Sequence, residues 1–202
     1  MSNLTPVFDV GGVLLNFDAA FLYRKMFKNE AEMALFFEHA LTRDWWVENL
    51  DRGRPFADAT AELAIEHPRY LNEILAADDR WVEMIGNVIT GSVELLERLK
   101  AEGREIYAIT NFPQEKFHIA REHWPFLNLF DGVIISGEEG EVKPEPKIYQ
   151  ILLERFELRA EDCFYIDDSL VNVKSAENLG MKGHHFTKPV KLRKHLEKLA
   201  IL

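Results

Sequence analysis

The chain has 202 residues, 47% of them hydrophobic, which is enough to bury one large core or a domain that carries an insert. Acidic residues outnumber basic ones, 34 to 24, and the formal net charge of −10 argues against a nucleic-acid partner. One cysteine, Cys163, excludes a disulfide within these residues and a cysteine-based zinc site, and no apolar run reaches the ~18 residues of a membrane span.

In chain order, MSNLTPVFDV shows neither the basic region nor the long apolar region of a secretion signal, so a cytoplasmic protein is expected. The run PVFDVGG reads as a strand closed by Asp9. Between Asp18 and Val88 no strand pattern emerges. The segments AAFLYRKMF, EAEMALFFEHAL, FADATAELAIEH and DDRWVEMIGNV read as helices there, with Pro55 in the first turn of the third. Structureless connections of this length are rare, so residues 18–87 are predicted to form a helical insert.

From Gly91 onward, strands and helices alternate. Helical stripes are formed by Val93, Leu96 and Leu99, by Ile148, Ile151, Leu152 and Phe156, and by Leu192, Leu196 and Leu199. Between them lie the apolar runs EIYAITN, GVIISG and CFYIDDS, with KGHHF as a weaker fifth strand. These runs are continuously apolar rather than alternating, which implies strands buried on both faces of a parallel sheet. The predicted fold is therefore α/β. A doubly wound, mostly parallel, Rossmann-like sheet is built from residues 1–17 and 88–202, and the α-helical insert forms a second unit.

Open parallel sheets bind ligands beyond the carboxyl ends of their strands. The residues expected there are Asp9, then Thr110 and Asn111, then Ser136 with the loop to Lys143, then Asp167 and Asp168. Clustered carboxylates repel and raise one another's pKa, and Mg²⁺ with oxygen ligands and a substrate phosphate resolves the conflict. Lys143 can neutralise further charge, Thr110 and Asn111 can donate to phosphoryl oxygens, and Asp9 can attack phosphorus to give an aspartyl phosphate. Singly, each residue has an ordinary reading: Asp168 and Ser169 could cap a helix, and Lys143 is a loop lysine. The inference rests on complementary groups at four strand ends.

Taken in order, FDVGGVL, AITN, VKPEPKIY and FYIDDSLVNVKSAENLGM resemble the four motifs of the haloacid-dehalogenase superfamily, in its capped subfamily I. The resemblance implies that Asp9 is the nucleophile and a Mg²⁺ ligand. The Gly11 carbonyl and Asp168 would be further ligands, with Asp167 acting through water. It further implies that Thr110 and Asn111 hold the phosphoryl group and that Lys143 steadies Asp9. Phosphatases of this superfamily usually carry a second aspartate two residues after the nucleophile, and the dehalogenases carry a tyrosine. Gly11 matches neither, and no residue is assigned to the acid–base step. Bacterial glucose-1-phosphate phosphatase-like members are similar in having glycine there, and DRGRPFADA is similar to their cap segment.

Members of this kind close cap residues over the substrate, which implies roles for Trp45 and Arg52. One of Trp45 and Trp46 is expected merely to fill the helical core. His184 and His185 would face opposite ways on a strand and cannot share a metal there. The resulting expectation is a Mg²⁺-dependent phosphatase of a small phosphorylated metabolite, such as a sugar phosphate, existing as a monomer or homodimer with no nucleic-acid or membrane partner. A 2-haloacid dehalogenase using Asp9, or a non-catalytic module that binds a phosphorylated ligand, are the alternatives.

Overall fold

A computed structural model describes residues 4–202. In chain order the elements are β1 (Thr5–Phe8), β2 (Leu15–Phe17), α1 (Ala20–Tyr23), α2 (Glu30–His39), α3 (Arg43–Trp46), α4 (Phe56–Glu66) and α5 (Leu71–Asp79). They continue as β3 (Ile85–Val88), α6 (Thr90–Ala101), β4 (Tyr107–Thr110), α7 (Gln114–His123), β5 (Gly132–Ile135), α8 (Ser136–Glu139) and α9 (Pro146–Arg155). The chain closes with β6 (Cys163–Asp167), α10 (Leu170–Asn178), β7 (Lys182–His185) and α11 (Pro189–Lys198).

Five strands form a wholly parallel sheet in the order β5–β4–β1–β6–β7. The expected strands are all present, and alternation along each one splits the core in two. Phe8, Ala108, Ile135, Phe164 and Ile166 face one apolar cluster together with Leu96, Phe117 and Leu192. Val7, Tyr107, Ile109, Ile134, Cys163 and Tyr165 face the other, with Ile148, Leu152 and Ala176. Helices cover both faces, so every residue of β6 is buried, and no polar–apolar alternation is visible in its sequence.

The segment between Asp18 and Val88 differs from expectation at its end. DDRWVEMIGNV is not a helix. It finishes α5, makes a 3₁₀ turn at Trp81–Met84 and then forms β3, which pairs antiparallel with β2. Gly86 is why the strand fits: a Cβ there would lie 2.4 Å from the Phe21 ring. The inserted helices thus leave and return through one two-stranded ribbon. Helix α5, which the sequence pattern did not reveal, buries Ile74 and Ala77. Pro55 caps α4 from just before its first turn, and its carbonyl accepts from Ala59.

His184 and His185 do diverge. His185 Nε2 lies 2.9 Å from the Asp168 carbonyl, whereas buried His184 sets Nδ1 2.8 Å from Nδ1 of His195 on α11. Burial, then the neighbouring His195, pushes the His184 pKa down to about 4, and burial also lowers that of His195. The folded state resists protonation that the unfolded chain accepts below its ordinary value of 6.5. Stability is therefore lost as pH falls from about 6.5 towards about 4, by up to about 3 kcal/mol for His184. Thermal melts across this range should show a shallower acid-side slope for His184→Leu than for the native protein.

Candidate active site

Parallel strands place their carboxyl ends on one edge, and the chemistry gathers there. Asp9 follows β1 directly, and its N–H donates to the Ile166 carbonyl at 2.8 Å. This fixes the nucleophile candidate against the strand that ends in Asp167. Lys143, in the loop between α8 and α9, places Nζ 2.8 Å from Asp9 Oδ2 and 2.8 Å from Asp167 Oδ2. All three side chains are buried.

Asp167 is saturated. Tyr165, two residues back and so on the same face of β6, donates its hydroxyl to Oδ2 at 2.5 Å. The Ser169 N–H donates to Oδ1 at 2.8 Å, and the Asn172 amide reaches both oxygens at 3.1 Å. Burial alone would raise the Asp167 pKa, but the Lys143 charge and these donors outweigh it, and the shift is downward. Asp9 shares the same lysine with fewer donors. Burial pushes its pKa up to about 8 against the pull of Lys143, and Asp167 adds to the rise. Lys143, flanked by two carboxylates, is held charged against its burial.

Asp168 is exposed, and no side chain donates a hydrogen bond to it among the described residues. Oxygens of Asp9, Asp167 and Asp168 lie within 4.8 Å of one another. Hard oxygen donors at this spacing, one of them unshared, fit a divalent cation such as Mg²⁺.

Two glycines follow Asp9 and differ. At Gly11 a Cβ would meet nothing within 4 Å, and its φ is not left-handed. At Gly12 φ is +69°, and a Cβ would fall 2.3 Å from Asp168 Oδ2. Gly12 is therefore the position that must be glycine, for both backbone and space.

Other expected residues fall into place differently. Thr110 ends β4 and is buried. Asn111 lines the cleft, but its amide is already paired with the Lys143 backbone: Nδ2 donates to the carbonyl at 3.1 Å, and Oδ1 accepts from N–H at 2.8 Å. It holds the lysine loop in place. Ser136 Oγ accepts from the Phe112 N–H and braces the turn after β4.

A cleft of about 870 Å³ opens above Asp9, Gly11, Lys143 and Asp168. The insert supplies its other wall with Phe37, Leu41, Arg43, Trp46 and Asp51. Trp45 and Arg52 do not line it. Trp45 packs against the core cluster while its carbonyl accepts from Asn49. Arg52 is spent on Glu145 at 2.5 Å, on the Gly140 carbonyl at 2.9 Å and on Glu48 at 3.0 Å.

Asp51 opens the DRGRPFADA segment, but the sequence reading gave it no role. Helix α3 runs into a π-helical turn, Val47–Asp51, in which Arg52 N–H reaches the Val47 carbonyl at 3.2 Å. That wider turn brings Trp46 Nε1 within 3.2 Å of Asp51 Oδ1, a five-residue spacing that a 3.6-residue period does not pair.

A parallel sheet with helices on both faces, whose strand ends carry a lysine-bridged carboxylate pair, defines an α/β protein with its candidate site at the carboxyl edge of the sheet. More particularly, the profile of haloacid dehalogenase-like hydrolases matches residues 5–180, and the chain belongs to that family. The chain is 39% identical over 93 residues to sesquiterpene phosphatase astK of Aspergillus oryzae, covering 46% of this chain and 47% of that protein. It is 33% identical over 113 residues to flavin mononucleotide hydrolase 1 of Arabidopsis thaliana, covering 56% and 46%. The matches thus span about half the length of these relatives. The fold is shared with a HAD family enzyme of Bacteroides thetaiotaomicron solved with magnesium and inorganic phosphate. The TM-score is 0.69 at 20% identity, over 91% of this chain and 94% of that one.

Asp167→Asn should cost about 3–5 kcal/mol in urea unfolding, because it leaves a buried lysine short of a partner. Asp168→Asn should leave unfolding nearly unchanged and weaken Mg²⁺ in calorimetric titration. Gly12→Ala should cost about 1–2 kcal/mol for its left-handed backbone and also weaken Mg²⁺ by displacing Asp168. Gly11→Ala should stay within about 0.5 kcal/mol of the native protein.

Proposed function

We propose that this chain is a Mg²⁺-dependent phosphatase of a small phosphorylated metabolite, acting through an aspartyl phosphate on Asp9. The carrying observation is the buried Asp9–Lys143–Asp167 array at the ends of parallel strands, with Asp168 beside it unshared. In this reading residues 18–87 are a cap over a core of residues 1–17 and 88–202, in a cytoplasmic monomer or homodimer.

Asp9, Asp168 and the Gly11 carbonyl would hold Mg²⁺, which when bound offsets the charge of the phosphoryl oxygens. Lys143 orients Asp9, and its charge pulls the Asp9 pKa down against the effect of burial. Asp167 fixes that lysine, and the Thr110 hydroxyl with the second Asn111 N–H supports the phosphoryl group. Attack by Asp9 expels the leaving oxygen, and water then cleaves the acyl phosphate.

The leaving group is the less constrained half. A sugar phosphate is one candidate. The wall of Phe17, Phe37, Leu41, Trp46, Trp81 and Phe112 supports an ester with an apolar or aromatic face. The dehalogenase alternative finds no tyrosine at position 11.

Turnover of 4-nitrophenyl phosphate should require Mg²⁺ and fall on the order of 10⁴-fold or more in Asp9→Asn. Undiminished turnover by the purified variant would remove Asp9 from the chemistry. Halide release from 2-chloropropionate in the presence of EDTA would favour the dehalogenase.

A further inference from the structure

The core offers no carboxyl two residues after Asp9, where an acid–base group is wanted, and the space beside Gly11 is open. The insert offers one from across the cleft. Asp51 lines the same cleft as Asp9 and Lys143 and is only 6% exposed. Its Oδ1 accepts from Trp46 Nε1, whereas Oδ2 has no donor among the described residues. A structural carboxylate at this burial would be expected to use both oxygens, as Asp167 does.

We propose that Asp51 is the general acid–base residue of the reaction. This rests on the phosphatase reading above. As Asp9 bonds to phosphorus and the bond from phosphorus to the leaving oxygen breaks, the Asp51 carboxyl gives its proton to that oxygen. The resulting carboxylate takes a proton from the water that attacks phosphorus, as the bond between phosphorus and Asp9 breaks. The sum is ester plus water to alcohol plus phosphate, with both aspartates restored.

The surroundings suit a group that must serve in both forms. Burial raises the Asp51 pKa to about 7, against the Trp46 hydrogen bond and the charges of Lys143 from the core and Arg43 from α3. Near neutral pH both forms are populated, the condition under which one group can donate and then accept.

The test is a series of aryl and alkyl phosphates of rising leaving-group pKa, with Mg²⁺ present. Native protein should show a shallow dependence. Asp51→Asn should lose about 10²–10⁴-fold on alkyl esters and far less on the release of 4-nitrophenolate in the first turnover. Adding Gly11→Asp to Asp51→Asn should restore part of the alkyl activity, which a merely misfolded variant would not allow. Equal losses across the series would overturn the role of Asp51 alone. Gly11→Asp in otherwise native protein reads the same question without touching Asp51. If it flattens a steep native slope, the native protein had no acid and the proposal fails. Native protein that cleaves no ester of the series overturns the phosphatase reading and this role with it.

Discussion

Lys143 stands between two buried carboxylates, and much of the rest of the site answers to that placement. A buried ammonium is tolerable only with charge and hydrogen bonds around it, and here Asp9 and Asp167 both lie 2.8 Å away. The two acids are not equivalent. Asp167 collects Tyr165, Ser169 and Asn172 and becomes the fixed counter-ion, while Asp9 is left with the lysine and its own neighbour's N–H. The same lysine thus anchors one carboxylate and leaves the other poised. That asymmetry suits a nucleophile.

Upstream, the geometry comes from ordinary sheet rules. β1 lies between β4 and β6, so its end meets groups from both neighbours. Period-two alternation puts Tyr165 and Asp167 on one face and turns Asp168 towards the cleft. Gly12 lets the backbone fold tightly enough for Asp168 to come close. These contacts converge on one spot, where oxygens of Asp9, Asp167 and Asp168 lie within 4.8 Å of one another.

The sequence made much of this readable. Continuous apolar runs closed by polar residues marked the parallel strands, and the groups at their ends stood out because such ends are seldom so polar. Short strands without that signature were missed: β2 and β3 have three and four residues, and Gly86 and Asn87 interrupt the second. Asn111 looked like a phosphate donor, and only the folded loop shows its amide paired with the Lys143 backbone. Asp51 was hidden for a different reason. Its environment depends on a π-helical turn, which shifts the register by one residue and defeats any reading by helical period.

Arg52 has a consequence beyond its absence from the cleft. It grips the Gly140 carbonyl and Glu145, which bracket Lys143 along one loop. Just before this loop, where the insert meets α8, the fit is tight: Gly53 at φ +93° leaves no room for a Cβ, which would fall 2.1 Å from the Gly137 carbonyl. To swing the insert away from the cleft, the molecule must break contacts on the very peptide that carries the buried lysine. The insert and the loop that carries Lys143 are therefore mechanically joined. Because the Arg52–Glu145 pair is partly open to water, dissolved salt weakens this joint.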